Sequence, residues 1–220
     1  MSGPGHAGAY RVVYADPPWR FDTYSDKGKG RSAEAHYDCL GIDDIKALPV
    51  ATLAAPDAVL LMWATDPLLP RALEVIAAWG FTYKTVGFYW VKLNKSAAAR
   101  LSTEWPLLAE RDFFTGLGFW TRANPELCLL ATRGHPSRRA GDVAKLLIAP
   151  RREHSRKPDE AYERIERLLE GPYLELFARQ SRPGWDGFGQ ETGLFDQGPV
   201  RTRRRPSTER RAMPPRPDVD

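Results

Sequence analysis

A short apolar run that stops at two consecutive prolines constrains this chain most. Residues 12–15 read Val-Val-Tyr-Ala, a length and composition typical of a buried strand. Asp16 follows, and Pro17 and Pro18 cannot continue a sheet because each lacks a backbone N–H and has a fixed φ. The strand is therefore predicted to end in a stiff turn that holds a carboxylate and the ring of Trp19.

The residues that end this strand suit a base that carries an exocyclic amine. The Asp16 carboxylate and the Pro17 carbonyl can both accept amine hydrogens, and the Trp19 ring offers a flat surface for stacking. A solvent-exposed aspartate in an ordinary Pro-Pro turn is the simpler interpretation. An aromatic residue directly after Asp-Pro-Pro favours the functional one, so residues 16–19 are the candidate catalytic residues.

The composition is that of a globular protein without a membrane span or a metal site. The chain has 220 residues, of which 42% are hydrophobic and 27% charged, and it contains no run of 18 apolar residues. The two cysteines and four histidines show no metal-ligand spacing, so no metal is expected. Few cysteines and the lack of an apolar leader in residues 1–10 predict a cytoplasmic protein.

The net charge of +4 lies entirely in the C-terminal tail. Residues 197–220 contain seven arginines and three acidic residues, so the rest of the chain is formally neutral. The Pro- and Arg-rich composition of this tail cannot bury enough surface to order itself. We predict a flexible N terminus at 1–10, a folded domain at 11–195 and a disordered basic tail at 196–220. A solvated linker is the simplest role for the tail; salt-dependent affinity for nucleic acid is the functional hypothesis.

Strand-like runs alternate with helix-like segments along the domain. Further strands are predicted at 58–65, 81–92, 126–132, 143–149 and 173–178. Helices are predicted at 42–48, from 66 to 79 and at 158–170. This alternation predicts an α/β fold with a mostly parallel sheet, in which ligands bind at the carboxyl ends of the strands. Asp16 and the loop after Arg179 both fall at such ends.

Five motifs, in order along residues 11–192, resemble one known family. They are Asp-Pro-Pro-Trp at 16–19, Trp-Val-Lys at 90–92, Asn-Pro-Glu-Leu-Cys-Leu-Leu-Ala-Thr-Arg-Gly at 124–134, His-Ser-Arg-Lys-Pro-Asp-Glu at 154–160, and Leu-Glu-Leu-Phe-Ala-Arg at 174–179 with Pro-Gly-Trp at 183–185 and Gly-Gln at 189–190. Together they look like the MT-A70 family, which contains the mRNA adenine methyltransferase subunit and many bacterial and phage proteins. The resemblance implies a Rossmann-like methyltransferase fold with a circularly permuted motif order. It also implies methyl transfer from S-adenosylmethionine to the 6-amino group of adenine in nucleic acid, without a metal.

The resemblance further implies roles for individual residues. The implied cofactor-binding residues are Asp16, Lys157, Phe177, Arg179, Gln190 and Glu191. The candidate substrate-binding residues are Tyr37, Trp90, Lys92 and Asn124. Lys157 would reach the cofactor carboxylate and Phe177 would line its adenine pocket. The loop after Arg179 reads Gln180-Ser181-Arg182 where the ribose-binding residues of the human enzyme include a His-Asn pair, and Glu191 stands where that enzyme has an amide. The individual ribose contacts therefore stay open.

Several alternatives for the function remain. The compact size and the lack of added RNA-binding modules favour DNA over RNA as the substrate, and the target base must leave the duplex to reach Asp16. A non-catalytic nucleic-acid-binding partner with the same fold is the second hypothesis, although it would have no need of Asp-Pro-Pro-Trp and Lys157. A methyltransferase for cytosine or for a protein glutamine is the third, and Trp19 with the downstream motifs favours adenine instead. The oligomeric state stays open.

Overall fold

The computed structural model describes residues 7–19, 40–97, 108–116, 118, 120–152, 156–189 and 196. The strands are β1 (Tyr10–Ala15), β2 (Ala54–Ala64), β3 (Thr82–Leu93), β4 (Glu126–Arg133), β5 (Leu146–Pro150), β6 (Tyr173–Leu176) and β7 (Trp185–Phe188). The α-helices are α1 (Ile42–Lys46), α2 (Val50–Leu53), α3 (Leu69–Ala78) and α4 (Asp159–Leu168). Short 3-10 turns occur at Asp66–Leu68 and Glu110–Asp112.

These strands form one sheet in the order β5-β3-β4-β2-β1-β6-β7. Neighbouring strands are parallel except around β4, which runs antiparallel to both β2 and β3. Because β4 is reversed, its first residue, Glu126, pairs with Trp90 near the end of β3. One edge of the sheet therefore collects the carboxyl ends of the parallel strands and of β3, together with the amino end of β4. The predicted α/β fold with a mostly parallel sheet is confirmed.

The central strands are buried on both faces. Successive residues of β1 point to opposite sides of the sheet, so Val13 contacts one apolar core and Tyr14 the other. The first core includes Ile45 of α1 and Val75 of α3, and the second includes Ile165 of α4. A strand covered on both faces needs apolar residues at every position, which is why these strands appear in the sequence as continuous apolar runs.

The structure corrects several predicted elements. β7 lies inside the loop predicted to follow Arg179. Only the first residue of this strand, Trp185, is buried, so its sequence shows no alternating pattern. α2 has four residues, too few to show a helical period. The helix predicted from residue 66 begins as a 3-10 turn, and α3 starts only at Leu69, with Pro70 in its first turn where a missing N–H is tolerated. Within the described residues, no helix is long and apolar enough to cross a membrane.

Candidate active site

Asp16 directly follows β1, at the sheet edge where the parallel strands end. Its Oδ2 lies 2.7 Å from Nζ of Lys157, which stands just before α4. The side chain of Lys157 is 8% exposed and that of Asp16 is 22% exposed. The structure therefore joins an early and a late motif of the chain in one ion pair.

Glu126 extends this pair into a row of four charges. Its Oε2 lies 3.2 Å from Nζ of Lys157, and its Oε1 accepts a 2.6 Å hydrogen bond from Nζ of Lys92. We call Lys92, Glu126, Lys157 and Asp16 the charge row. The sequence prediction gave Glu126 no role, although a carboxylate at the first position of an apolar strand was a usable signal.

Burial and ion pairing together set the ionisation of the charge row. Burial raises the pKa of Asp16 above its ordinary value, and the Lys157 ammonium opposes that rise. Burial also acts to raise the pKa of Glu126, but the ammonium groups of Lys157 and Lys92 outweigh it and lower this pKa to about 2. Burial acts to lower the pKa of Lys157, yet the carboxylates of Asp16 and Glu126 raise it above its ordinary value. At neutral pH Glu126 is therefore ionised and Lys157 is protonated.

A cleft opens beside the Asp16–Lys157 pair. It is a shallow cleft that is open to solvent. It is lined by Tyr14, Asp16, Arg156, Lys157, Tyr162, Glu175, Phe177, Arg179 and Gln180. Four of the predicted cofactor-binding residues are among these. The other two, Gln190 and Glu191, lie outside the described residues.

Glu175 is a buried carboxyl on the cleft wall that the sequence prediction missed. The residue is 7% exposed, and its Oε1 accepts a 2.7 Å hydrogen bond from the Tyr162 hydroxyl. Burial raises the pKa of Glu175 to about 7; the Tyr162 hydrogen bond and Arg182 oppose the rise, while Asp16 adds to it. A charged residue inside the otherwise apolar β6 was the available signal.

Phe177 lines the cleft from a strained turn after β6. Its φ is 63°, a left-handed conformation that costs a bulky residue on the order of 1–2 kcal/mol. The backbone N–H groups of Phe177 and Ala178 both donate to the Phe188 carbonyl at the end of β7, which holds the turn. Position 189 needs a glycine, because the Cβ of any other residue would lie 2.6 Å from the Ala178 carbonyl oxygen and clash with it.

The Asp-Pro-Pro-Trp turn is fixed by its own hydrogen bonds. The Pro17 carbonyl accepts from the Trp19 N–H at 2.8 Å, and the Pro18 carbonyl accepts from the Leu40 N–H at 3.0 Å. The Trp19 indole N–H donates to the Trp63 carbonyl at 3.1 Å, and the residue is only 7% exposed. The stacking of a base on Trp19 stays a prediction, because little of the ring is accessible in this conformation.

Trp90 and Asn124, two of the candidate substrate-binding residues, anchor the end of β3 to neighbouring segments. Trp90 is buried and its indole N–H donates to a backbone carbonyl of β5 at 3.1 Å. The Asn124 amide bonds the backbone N–H and carbonyl of Lys92 at 3.0 and 2.9 Å and the Phe114 carbonyl at 2.6 Å. A direct substrate contact by these residues stays a prediction, and Tyr37 lies outside the described residues.

Trp120 differs in exposure from the tryptophans of the core. Trp63 and Trp79 are fully buried, whereas Trp120 is fully exposed and has a φ of 61°. Its loop is closed by a 2.7 Å hydrogen bond from the Gly116 N–H to the Ala123 carbonyl. The loop leads through Asn124 and Pro125 into β4, so an exposed aromatic surface lies close in sequence to Glu126 of the charge row.

Comparisons with known proteins show which family this chain resembles. The MT-A70 family model matches residues 10–191. The type II methyltransferase M.MunI of a Mycoplasma species is 30% identical over 200 residues, which cover 83% of this chain and 77% of M.MunI. The N(6)-adenosine-methyltransferase MT-A70-like protein of Arabidopsis thaliana is 31% identical over 84% of this chain, and the human N(6)-adenosine-methyltransferase catalytic subunit METTL3 is 30% identical over 84%. The chain matches only 24% and 28% of the length of these two eukaryotic relatives.

The matched segment contains all five motifs that suggested the resemblance. The relatives are named as methyltransferases, and the eukaryotic ones as N(6)-adenosine methyltransferases, so the predicted enzyme class is confirmed. With the seven-stranded sheet and the joined early and late motifs, the comparisons establish that this chain belongs to the MT-A70 family.

Proposed function

We propose that this protein transfers a methyl group from S-adenosylmethionine to the 6-amino group of adenine in nucleic acid, with DNA as the favoured polymer. The observation that carries the proposal is the 2.7 Å contact between Asp16 of the Asp-Pro-Pro-Trp turn and Lys157 at the cleft. It unites the residue expected to act on the amine with the residue expected to hold the methyl donor.

The donor set of the cleft fits S-adenosylmethionine. That molecule carries an amino-acid carboxylate and ammonium, ribose hydroxyls and an adenine ring. Lys157 offers a cation to the carboxylate and Asp16 an anion to the ammonium, so the zwitterion can exchange partners with the existing ion pair. Glu175 offers a buried hydrogen-bond acceptor, and Phe177 an apolar surface for a ring. When bound, the cofactor supplies an electrophilic methyl group on a sulfonium.

Asp16 makes the adenine amine a better nucleophile and stabilises the transition state. The amine lone pair is delocalised into the ring, and acceptors that bind its hydrogens localise it on nitrogen. Asp16 supplies one acceptor; the Pro17 carbonyl supplies another, since its hydrogen bond from Trp19 leaves one lone pair available. The Asp16 carboxylate also stabilises the positive charge that develops on nitrogen. A well-placed group of this kind contributes about 3–4 kcal/mol to transition-state stabilisation.

Two features support a nucleic-acid substrate and DNA in particular. The exposed Trp120 offers a surface on which an unpaired base can stack, and such stacking contributes about 1–3 kcal/mol per base. The similarity to a type II methyltransferase extends over most of both chains, whereas the eukaryotic relatives match over about a quarter of their length. DNA is therefore favoured, and RNA remains the alternative substrate.

One experiment tests the proposed function. The purified protein is incubated with labelled S-adenosylmethionine and sequence-matched DNA or RNA, and the digested product is analysed by mass spectrometry. We expect N(6)-methyladenine in DNA. Methylcytosine would contradict the adenine assignment, label only in RNA would contradict the DNA preference, and no label in either polymer would contradict the activity.

A further inference from the structure

The charge row contains two residues, Glu126 and Lys92, that the proposed chemistry does not use. Asp16 and Lys157 both face the cleft, but Glu126 is not among the cleft-lining residues. Glu126 and Lys92 nevertheless lie behind the pair as partly buried, oppositely charged side chains, 23% and 14% exposed. Burying such charges is unfavourable unless they are paired, so their position calls for a physical reason.

The two oxygens of Glu126 are divided between two lysines. Oε1 lies 2.6 Å from Nζ of Lys92, and Oε2 lies 3.2 Å from Nζ of Lys157. Lys157 in turn has two carboxylate partners, with Asp16 closer at 2.7 Å and Glu126 farther at 3.2 Å. The ring of Trp63 also lies beneath this ammonium, 5.4 Å from its centroid. The four formal charges alternate in sign and sum to zero.

The Asp16–Lys157 pair presents a conflict with catalysis. In this conformation Oδ2 of Asp16 is engaged by the lysine, whereas the proposed reaction needs that carboxylate for the cofactor ammonium and the adenine amine. If Asp16 were the only counter-ion, its turn toward the substrate would leave the ammonium of Lys157, 8% exposed, with no anion from the protein and dependent on the cofactor carboxylate alone. Removing the partner of a buried charge is strongly unfavourable. Lys157 would therefore keep Asp16 in the ion pair and away from the substrate.

We propose that Glu126, anchored by Lys92, is the permanent counter-ion of Lys157 and thereby frees the Asp16 carboxylate for cofactor and substrate. This inference rests on the proposed function and makes Glu126 a positioning residue, because it acts through Lys157. The downward shift of the pKa of Glu126 to about 2 agrees with a carboxylate that stays ionised throughout turnover.

The test compares Glu126→Gln with Glu74→Gln. Glu74 also lies between two cations, Lys46 at 2.6 Å and Arg71 at 2.9 Å, but on α3 and outside the cleft. We expect Glu126→Gln to lower kcat at saturating cofactor and substrate at least tenfold and to weaken S-adenosylmethionine binding in calorimetry at least fivefold. Glu126→Asp, which keeps the charge, should restore both values to within about threefold of wild type. Glu74→Gln should leave both unchanged.

A purely structural role for Glu126 gives a different result. The melting temperature of Glu126→Gln would fall while kcat and cofactor affinity of the folded protein stayed at wild-type values, and that outcome would overturn the proposal. An equal loss in Glu126→Asp and Glu126→Gln would also overturn it, because shape and not charge would then matter.

Two further arms keep the test decisive. If Glu126→Gln does not fold, the double variant Lys92→Met with Glu126→Met replaces the outer pair by apolar residues without changing the net charge, which proteins commonly tolerate. It should show the same loss of kcat and affinity, and wild-type values would overturn the proposal. If wild type transfers no methyl group to any nucleic acid, the proposed function fails, while calorimetry still decides the role of Glu126 in cofactor binding.

Discussion

At the residue scale, the candidate active site depends on how each of its carboxylates is neutralised. Asp16, Glu126 and Glu175 all lie at or near the same edge of the sheet, yet their partners differ. Asp16 and Glu126 share one lysine, whereas Glu175 accepts a hydrogen bond from a tyrosine. An ion pair keeps a carboxylate charged, whereas burial without a close cation favours its neutral form. The three carboxyl groups therefore differ in how readily they ionise.

Replacing Asp16 tests the catalytic assignment. Asp16→Ala removes the acceptor that we propose localises the amine lone pair, and we expect kcat to fall by at least about 100-fold. The fold should persist because Lys157 keeps Glu126 as a partner. Methyl-transfer kinetics and circular dichroism measure the two effects, with the exposed Asp43→Ala as the control. A folded and fully active Asp16→Ala protein would show that the catalytic residue lies elsewhere.

Glu175 should make stability depend on pH. Its pKa is about 7 in the folded protein and ordinary in the unfolded chain, so between these values the folded state binds more protons. Stability is then present at low pH and is lost as the pH rises through 7, by about 3 kcal/mol in total. Glu175→Gln keeps an acceptor for Tyr162 but cannot ionise, so its unfolding free energy should fall less between pH 5 and 8.

Urea denaturation across this pH range measures the effect. Glu163→Gln on the exposed face of α4 is the control and should retain the wild-type pH dependence. Identical pH dependence in Glu175→Gln and wild type would contradict the assignment of this titration to Glu175.

At the element scale, the contact between the ends of β6 and β7 shapes the cleft beside Asp16 and Lys157. Phe177 keeps its left-handed conformation because the Phe188 carbonyl binds two successive N–H groups there. Gly189 allows this close approach, since a Cβ would lie within 2.9 Å of three backbone atoms of Phe177 and Ala178. Backbone atoms cannot move aside as a flexible side chain can, so the turn itself would have to shift.

Gly189→Ala should therefore weaken both stability and cofactor binding. We expect a loss of about 1–3 kcal/mol in unfolding free energy, typical of overpacking, and weaker binding of S-adenosylmethionine. Denaturation and calorimetry measure these two quantities. Gly141→Ala is the control, because its Cβ would meet only side-chain atoms of Arg138 at 3.8 Å or more. Equal affinity of Gly189→Ala and wild type would show that the turn does not shape the cleft.

Helices and strands were predictable from the sequence where they were long enough to show their characteristic pattern of apolar residues. The apolar run of β2 and the amphipathic α4 were placed within a few residues, because burial on two faces or on one face leaves a distinct pattern. β7 and α2 were missed because four residues are too few for either period.

At the scale of the whole molecule, the net positive charge lies entirely in residues 197–220. Residues 1–196 carry no net charge, and the seven arginines of 197–220 lie outside the described residues. Neutralising phosphates with arginine releases counterions, which makes affinity salt-dependent but not sequence-dependent. If residues 197–220 bind nucleic acid in this way, we predict that they add affinity that depends on salt and not on base sequence.

Deleting residues 197–220 should weaken binding to nucleic acid and make its salt dependence shallower. Fluorescence anisotropy at several salt concentrations gives the slope of log Kd against log salt for both proteins. A full-length variant with the seven tail arginines changed to glutamine is the matched control and should behave like the deletion. An unchanged slope in either protein would exclude a role for the tail in binding.

The sequence by itself determined the strand end at Asp16, the alternation of elements and the five motifs that indicated the family. These features are local, since a proline stops a strand and an apolar run predicts burial wherever they stand. Only the tertiary structure decided that Glu126 and Lys92 join Asp16 and Lys157. Their meeting depends on β4 running antiparallel between β2 and β3, and strand order and direction are set by packing between distant segments.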